Sequence, residues 1–235
     1  MNLRKAIERA VVGSVQPITD AMVRGRIHPN ILTTLGFLIT VSSAFLFHSH
    51  HVRTAGVLIL VGGIFDIFDG RVARATGLDS QFGSFYDSTL DRFSEIAVYA
   101  GILSLYNDYR ADLGDVFMIY ATMLAMAGSL MVSYTRARAE ALGIDCKVGL
   151  MQRGERVIAI GLAAVLFGEA NGGLVLGFVI VVLAALTNFT AVQRVVWVYK
   201  ASRPTGNIEG VASDAAAAEP APPAELTVGI KEEIT

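Results

Sequence analysis

The chain has 235 residues, 53% of them hydrophobic and 17% charged, with a formal net charge of −2. Long uncharged runs at this composition exclude an ordinary soluble domain and point to a multi-spanning membrane protein. The near-neutral balance offers no basic field for nucleic acid; the single cysteine, Cys146, excludes an internal disulfide or a cysteine-rich metal site and reads as a small loop residue.

From the N-terminus, Met1 to Arg26 mix Arg4, Lys5, Glu8, Arg9, Asp20, Arg24 and Arg26 with apolar residues and lack the apolar core of a cleavable signal, so the segment is expected in the mature protein. Leu3, Ile7, Ala10, Val11 and Ile18 recur near helical spacing, the pattern of an amphipathic helix lying in the headgroup plane. Six apolar stretches follow, at Ile31–His48, Ala55–Ala75, Phe82–Tyr106, Val116–Ser133, Val157–Phe167 and Leu174–Tyr199. A spanning helix needs ~20 residues. The fifth stretch reaches that length only by taking in Gln152, Arg153, Glu155 and Arg156, which predicts that these polar groups line a cytosolic cavity. Ala121, Ala125 and Gly128 on the fourth predict a packing seam. His28 reads as a helix-boundary residue, and His48, His50 and His51 as a solvated loop. After Lys200 the composition turns to Ala, Pro and Glu, and Ser202–Thr235 reads as a disordered tail. The expected organisation is an all-α integral membrane protein: an interfacial helix over 1–27, six transmembrane helices over 28–200 and a tail over 201–235.

Basic residues set the expected orientation. Arg4, Lys5, Arg9, Arg24, Arg26, Arg71, Arg74, Arg136, Arg138, Lys147, Arg153, Arg156, Lys200 and Arg203 fall on one side, against Arg53 and Arg110 on the other. The positive-inside rule puts the basic side and both termini in the cytoplasm of a cell (inner) membrane.

Four acids interrupt the apolar pattern. Asp66 and Asp69 share a face at the end of the second stretch, and Gly83, Asp87, Asp91 and Ser94 form one stripe at the start of the third. One acid at a helix centre costs ~2.5–3.5 kcal/mol on insertion scales, so four together need compensation. The second and third helices are expected to pack antiparallel, with Gly70, Ala73 and Gly83 allowing close approach. Their acids would then converge on hard divalent cations such as Mg²⁺, Mn²⁺ or Ca²⁺. A pair of such ions suits phosphoryl transfer across a diphosphate, with a carboxylate placed to take the proton of an attacking hydroxyl. The rival use of these acids is helix capping or pairing with Arg71, Arg74 and Arg92; the rival function is a cation-coupled transporter. All four acids on one side of the bilayer count against a through-path.

The run Asp66-x2-Asp69-Gly70-x2-Ala73-Arg74-x8-Gly83-x3-Asp87-x3-Asp91 resembles, at every fixed position, the signature of the CDP-alcohol phosphotransferases. The resemblance implies a homodimer with two Mg²⁺ or Mn²⁺ ions per site, held by Asp66, Asp69, Asp87 and Asp91, and a CDP-linked lipid donor. Asp91 would be the base for the acceptor hydroxyl, with CMP leaving. Gly70, Ala73, Arg74 and Gly83 would lie along the cytidine diphosphate, together with Pro29, Asn30 and Thr33 of a Pro-Asn-x2-Thr element.

Acceptor specificity must come from outside that signature. Arg136 and Arg138, Arg153 and Arg156, and Arg194 are expected around one cavity, and clustered guanidinium groups suit an anionic, phosphorylated acceptor. Glu155 reads as the partner of Arg153 and Arg156. The pattern resembles the phosphatidylinositol phosphate synthases, with Gly154 where proline is usual and Arg136 where lysine is usual. The implied reaction transfers a phosphatidyl group from CDP-diacylglycerol to a phosphorylated polyol, with inositol phosphate first, glycerol phosphate second and a free alcohol third.

Overall fold

Local capping chemistry marks several of the helix ends. The computed structural model describes residues 16–107, 113–168 and 173–203, and among them every regular element is helical. Helix α1 is described over 16–24. Helix α2, Pro29–His48, starts with proline in its first turn behind His28, whose ring nitrogen accepts from the Asn30 N–H at 3.2 Å. Helix α3, Val52–Thr76, stops at Gly77, where a φ of 64° suits glycine and its N–H donates to the Ala73 carbonyl. Helix α4, Gln81–Tyr106, starts from Ser80, whose hydroxyl accepts from the Gly83 N–H at 3.0 Å.

Helix α5, Leu113–Ala141, runs about two turns past the apolar Val116–Ser133 stretch. Its extension, through Arg136, Ala137, Arg138, Ala139 and Glu140, is polar but made of strong helix formers. Helix α6, Arg153–Phe167, is closed by a capping box: Gln152 is its cap rather than a member, and the Glu155 carboxylate folds back to accept the Gln152 N–H at 2.7 Å. The expectation that Glu155 partners the neighbouring arginines is therefore corrected, because the cap takes that carboxylate. Helix α7 spans Leu174–Ala201. Arg110, the amphipathic positions Leu3 to Val11 and most of the expected tail lie outside the described residues.

The six long helices close into a ring. α2 packs on α3 and α4, α4 on α5, α5 on α7, α7 on α6, and α6 back on α3. The expected direct packing of α3 on α4 is corrected: among the described residues their backbones scarcely meet, because α2 lies against both. Close approach depends on other glycines than Gly70 and Gly83. A Cβ at Gly56 would lie 2.8 Å from the Gly161 carbonyl oxygen, joining α3 to α6, and one at Gly101 would lie 2.6 Å from the Ala44 Cα, joining α4 to α2. The seam expected at Gly128 is present on α5, where a Cβ would run into the Thr187 hydroxyl and Asn188 of α7.

Apolar side chains from several helices fill one end of the ring, among them Phe47, Ile59, Val98, Tyr99, Ile102, Ile160, Ile180 and Leu183. The described part of α1 docks outside it, with Met22 and Val23 against Leu32, Phe68 and Val72. Among the described residues, three helices are long and apolar enough to cross a membrane by length and composition: Pro29–His48, Asp115–Ala141 and Leu174–Ala201. α3 and α4 match them in length, with 25 and 26 residues, but carry the acids. Cys146 stands in the α5–α6 loop as expected, yet it is fully buried rather than loosely solvated.

Gly56→Val is expected to lower stability in detergent by about 1–3 kcal/mol, the usual cost of overpacking, read as a lower thermal midpoint. Gly154→Ala, whose Cβ meets nothing within 4 Å, is expected to leave that midpoint unchanged or slightly raised.

Candidate functional site

Consecutive helices alternate in direction, so the C-terminal end of α3, the N-terminal ends of α2, α4 and α6 and the C-terminal ends of α5 and α7 gather at one end of the ring. All the acids of the motif sit there. Carboxylate oxygens of Asp66, Asp69 and Asp87 lie within 4.8 Å of one another, so α3 and α4 aim their acids into a shared gap although their backbones stay apart. Asp69 is buried, and its Oδ2 makes no hydrogen bond to the described protein. Three converging carboxylates with an unshared buried oxygen fit a hard divalent cation and not a soft one.

Asp91 is held differently. The Arg153 guanidinium reaches across from α6, with Nη2 2.7 Å from Asp91 Oδ1 and Nη1 donating to Asp66 Oδ2 at 2.7 Å. One cation thus bridges an acid of α3 and an acid of α4, and Arg92 stands 3.6 Å from the other Asp91 oxygen. Arg153 takes one oxygen of each carboxylate and leaves Asp66 Oδ1 and Asp91 Oδ2 outside the bridge. This bridge partly neutralises the acids, which would otherwise repel one another in a low-dielectric setting.

The residues expected along the nucleotide are partly brought together. Thr33 is buried beside Asp69, and its hydroxyl donates to the carbonyl of Pro29, also buried, at 3.2 Å. Asn30 faces Gly83: its Oδ1 lies 3.5 Å from where a Gly83 Cβ would stand. Thr34 and Tyr86 hydrogen-bond at 3.0 Å and tie α2 to α4 at the same level. Arg74 is exposed, and its Nη1 would lie 3.4 Å from a Cβ on Gly70, so the guanidinium folds back over that glycine. Ala73, half-buried, sits on the same turn.

A cleft of about 990 Å³ opens beside the acids, lined by Asp87, Asp91, Arg136, Arg153, Arg156 and Arg194 among others. The arginines differ in what they already hold. Arg136 pairs with Glu140 at 2.8 Å on the cleft wall. Arg194 donates to the Val148 carbonyl at 2.9 Å and also to the Val132 carbonyl, pinning the α5–α6 loop. Arg156, 1% exposed, gives Nε to Glu95 at 2.7 Å and Nη1 to the Met151 carbonyl at 3.0 Å. Those bonds occupy two of its three nitrogens, and Nη2 makes no hydrogen bond to the described protein. Arg138 points away: it is exposed and does not line the cleft.

Glu95 escaped the sequence reading. It continues the stripe of Asp87 and Asp91 by one more step of four residues, and that spacing was the available signal. His48 hydrogen-bonds Ser104 at 2.6 Å at the opposite end, in keeping with a helix-end role rather than a metal site.

The sequence profile of the CDP-alcohol phosphatidyltransferase family matches residues 26–191. The chain is 37% identical over 186 residues to the archaetidylinositol phosphate synthase of Methanothermobacter thermautotrophicus, covering 79% of this chain and 89% of the relative. It is 32% identical over 179 residues to the phosphatidylinositol phosphate synthase of Mycobacteroides abscessus, covering 76% and 80%. Among solved structures it resembles Mycobacterium tuberculosis phosphatidylinositol phosphate synthase with TM-score 0.71 and 28% identity, both with CDP-DAG bound, covering 81% of this chain and 98% of that one, and in complex with manganese and citrate, covering 81% and 92%. The chain belongs to the CDP-alcohol phosphatidyltransferase family and is a multi-pass membrane transferase.

Arg153→Gln removes the bridge between Asp66 and Asp91. Its thermal midpoint in chelator is expected to fall by roughly 2–6 °C, on a scale of about 2–4 °C per kcal/mol for a chain of this size. Added Mn²⁺ should recover more of it than in wild type, as read by scanning fluorimetry in detergent.

Proposed function

We propose that this CDP-alcohol phosphatidyltransferase moves a phosphatidyl group from CDP-diacylglycerol to the hydroxyl of inositol phosphate, giving phosphatidylinositol phosphate and CMP. The observation that carries the reading is the placement of Arg153: a guanidinium within 2.7 Å of Asp91, in a cleft that Arg136 and Arg194 also line. A phosphorylated acceptor held by that group would have its hydroxyl near the proposed base. Two relatives of different lipid type, archaetidyl and phosphatidyl, share inositol phosphate in their names, which supports the acceptor. The diacylglycerol donor is supported by the solved relative with CDP-DAG bound.

In this reading Asp66, Asp69, Asp87 and Asp91 would hold two ions, Mg²⁺ or Mn²⁺. When bound, the ions supply charge neutralisation on the donor's diphosphate. Asp91 takes the proton from the acceptor hydroxyl, whose oxygen bonds to the lipid-side phosphorus as the bond to the CMP oxygen breaks. Thr33, Asn30, Pro29, Gly83, Gly70, Ala73 and Arg74 flank the nucleotide diphosphate. Arg153 and Arg136 bind the acceptor phosphate in forked geometry, while Arg194 shapes the wall by holding the α5–α6 loop. Arg138, turned outward, contacts lipid headgroups.

The same reading carries the chain's setting. α2 to α7 form six spans: α3 and α4 extend roughly 38 Å at 1.5 Å per residue, and α6 is short because its capped start opens on the polar cleft. The acids face the cytoplasm of the inner membrane, and two copies form a homodimer. Residues 28–200 are the catalytic domain.

With purified protein, CDP-diacylglycerol and Mg²⁺, inositol phosphate is expected to give CMP and the lipid product, glycerol phosphate and free inositol little or none. A preparation that prefers glycerol phosphate overturns the acceptor. Asp91→Asn should cut turnover by about 10²–10⁴-fold, the usual share of a general base, with the fold retained by thermal midpoint. Chelator should abolish CMP release and Mg²⁺ or Mn²⁺ restore it.

A further inference from the structure

Helices α4 and α6 lie across the ring from each other, their backbones scarcely in contact among the described residues. Two ion-paired rungs cross the space between them. The upper rung is Arg153 with Asp91, whose side chains are 25% and 12% exposed; the lower is Arg156 with Glu95, 1% and 8% exposed. The rungs repeat along both helices, Asp91 and Glu95 being four apart on α4, Arg153 and Arg156 three apart on α6. Both arginines reach the cleft wall, but the lower pair is nearly buried where the upper is partly exposed.

The lower rung is poorly explained as a stabilising device. Buried ion pairs seldom outdo apolar replacements of the same volume, and structural ones are normally fully hydrogen-bonded. Here Glu95 Oε2 and Arg156 Nη2 make no hydrogen bond to the described protein. What the pair does fix is position. Arg156 also holds the Met151 carbonyl at 3.0 Å, just before the α6 cap, so Glu95 anchors both the first turn of α6 and the loop that leads into it. Arg153 is the first residue of that turn.

We propose that Glu95 is a positioning residue for the acceptor end of the site: through Arg156 it sets the first turn of α6 so that Arg153 reaches the space beside Asp91. Glu95 touches neither substrate nor metal in this arrangement. The proposal rests on the reading of Arg153 as an acceptor-phosphate ligand. A misplacement of about 1 Å in such a group is enough to cost on the order of 10²-fold in rate or binding, so Glu95 acts on acceptor recognition from one helical turn away.

The test measures KM for inositol phosphate, KM for CDP-diacylglycerol and kcat in the full-length protein with Mg²⁺. Glu95→Gln keeps the shape and one acceptor oxygen but removes the charge that orients Arg156. It is expected to raise the acceptor KM five- to twenty-fold with the donor KM within twofold, and Glu95→Asp should restore part of the loss. The paired change Glu95→Leu with Arg156→Met removes both charges while keeping volume. It should fold, as read by thermal midpoint, and still show the raised acceptor KM. A folded variant of either kind with wild-type acceptor KM, or one in which both KM values rise together, overturns the proposal. Arg153→Gln separates the two readings: if it leaves the acceptor KM unchanged, the acceptor assignment fails and this inference with it. If it raises that KM while Glu95→Gln does not, only the inference fails.

Discussion

Negative charge gathered inside an apolar bundle is the constraint around which this protein is built. Asp66, Asp69 and Asp87 meet within 4.8 Å, and Asp91 stands beside them in reach of Arg153. Such a group cannot persist uncompensated, because desolvated like charges repel strongly. Compensation comes from the protein's own arginines, one of which bridges two of the acids. The same chemistry that makes the cluster costly makes it attractive to divalent cations and to the diphosphate they neutralise. Arg153 therefore stands at a junction: it is the counter-charge for the acids and, in the proposed reaction, the ligand for the acceptor.

The bundle is arranged to leave that cluster open. α3 and α4 carry the acids but do not pack on each other, since α2 lies against both and α6 closes the ring behind α3. Close packing is concentrated elsewhere, at Gly56 against Gly161 and at Gly101 against Ala44. These contacts draw the helices tight around an apolar end containing Ile59, Tyr99, Ile160 and Ile180, and the opposite end widens into a polar cleft of about 990 Å³. Close apolar packing at one end and a polar, charged mouth at the other place the acids and the arginines on well-held helices. The short α6 fits this division, with its capped first turn delivering Arg153 to the mouth and Arg156 to the interior.

Much of the architecture was legible in the chain. Apolar runs located α2, α3, α4 and α7 to within a few residues, and His28 marked the start of α2. The spacing of Asp66, Asp69, Asp87 and Asp91 announced convergent carboxylates. Hydropathy underestimated α5, because Thr135 to Ala141 are polar yet helix-forming, and it gave Glu155 to the arginines when a capping box had the stronger local claim. Glu95 was overlooked although it lies on the same stripe as Asp91.

The amino-acid order by itself determined which residues sit on which face, since helical periodicity is local and depends on neighbours three and four apart. It also determined the chemistry, because four acids in an apolar setting admit few uses. Only the tertiary structure decided which helices touch and which charges meet. Arg153, Arg156 and Arg194 look alike in sequence, yet one bridges two aspartates, one is buried against Glu95 and one holds a loop carbonyl. Those partners lie between 46 and 87 residues away along the chain, and no local rule reaches that far; the ring closure that brings them together does.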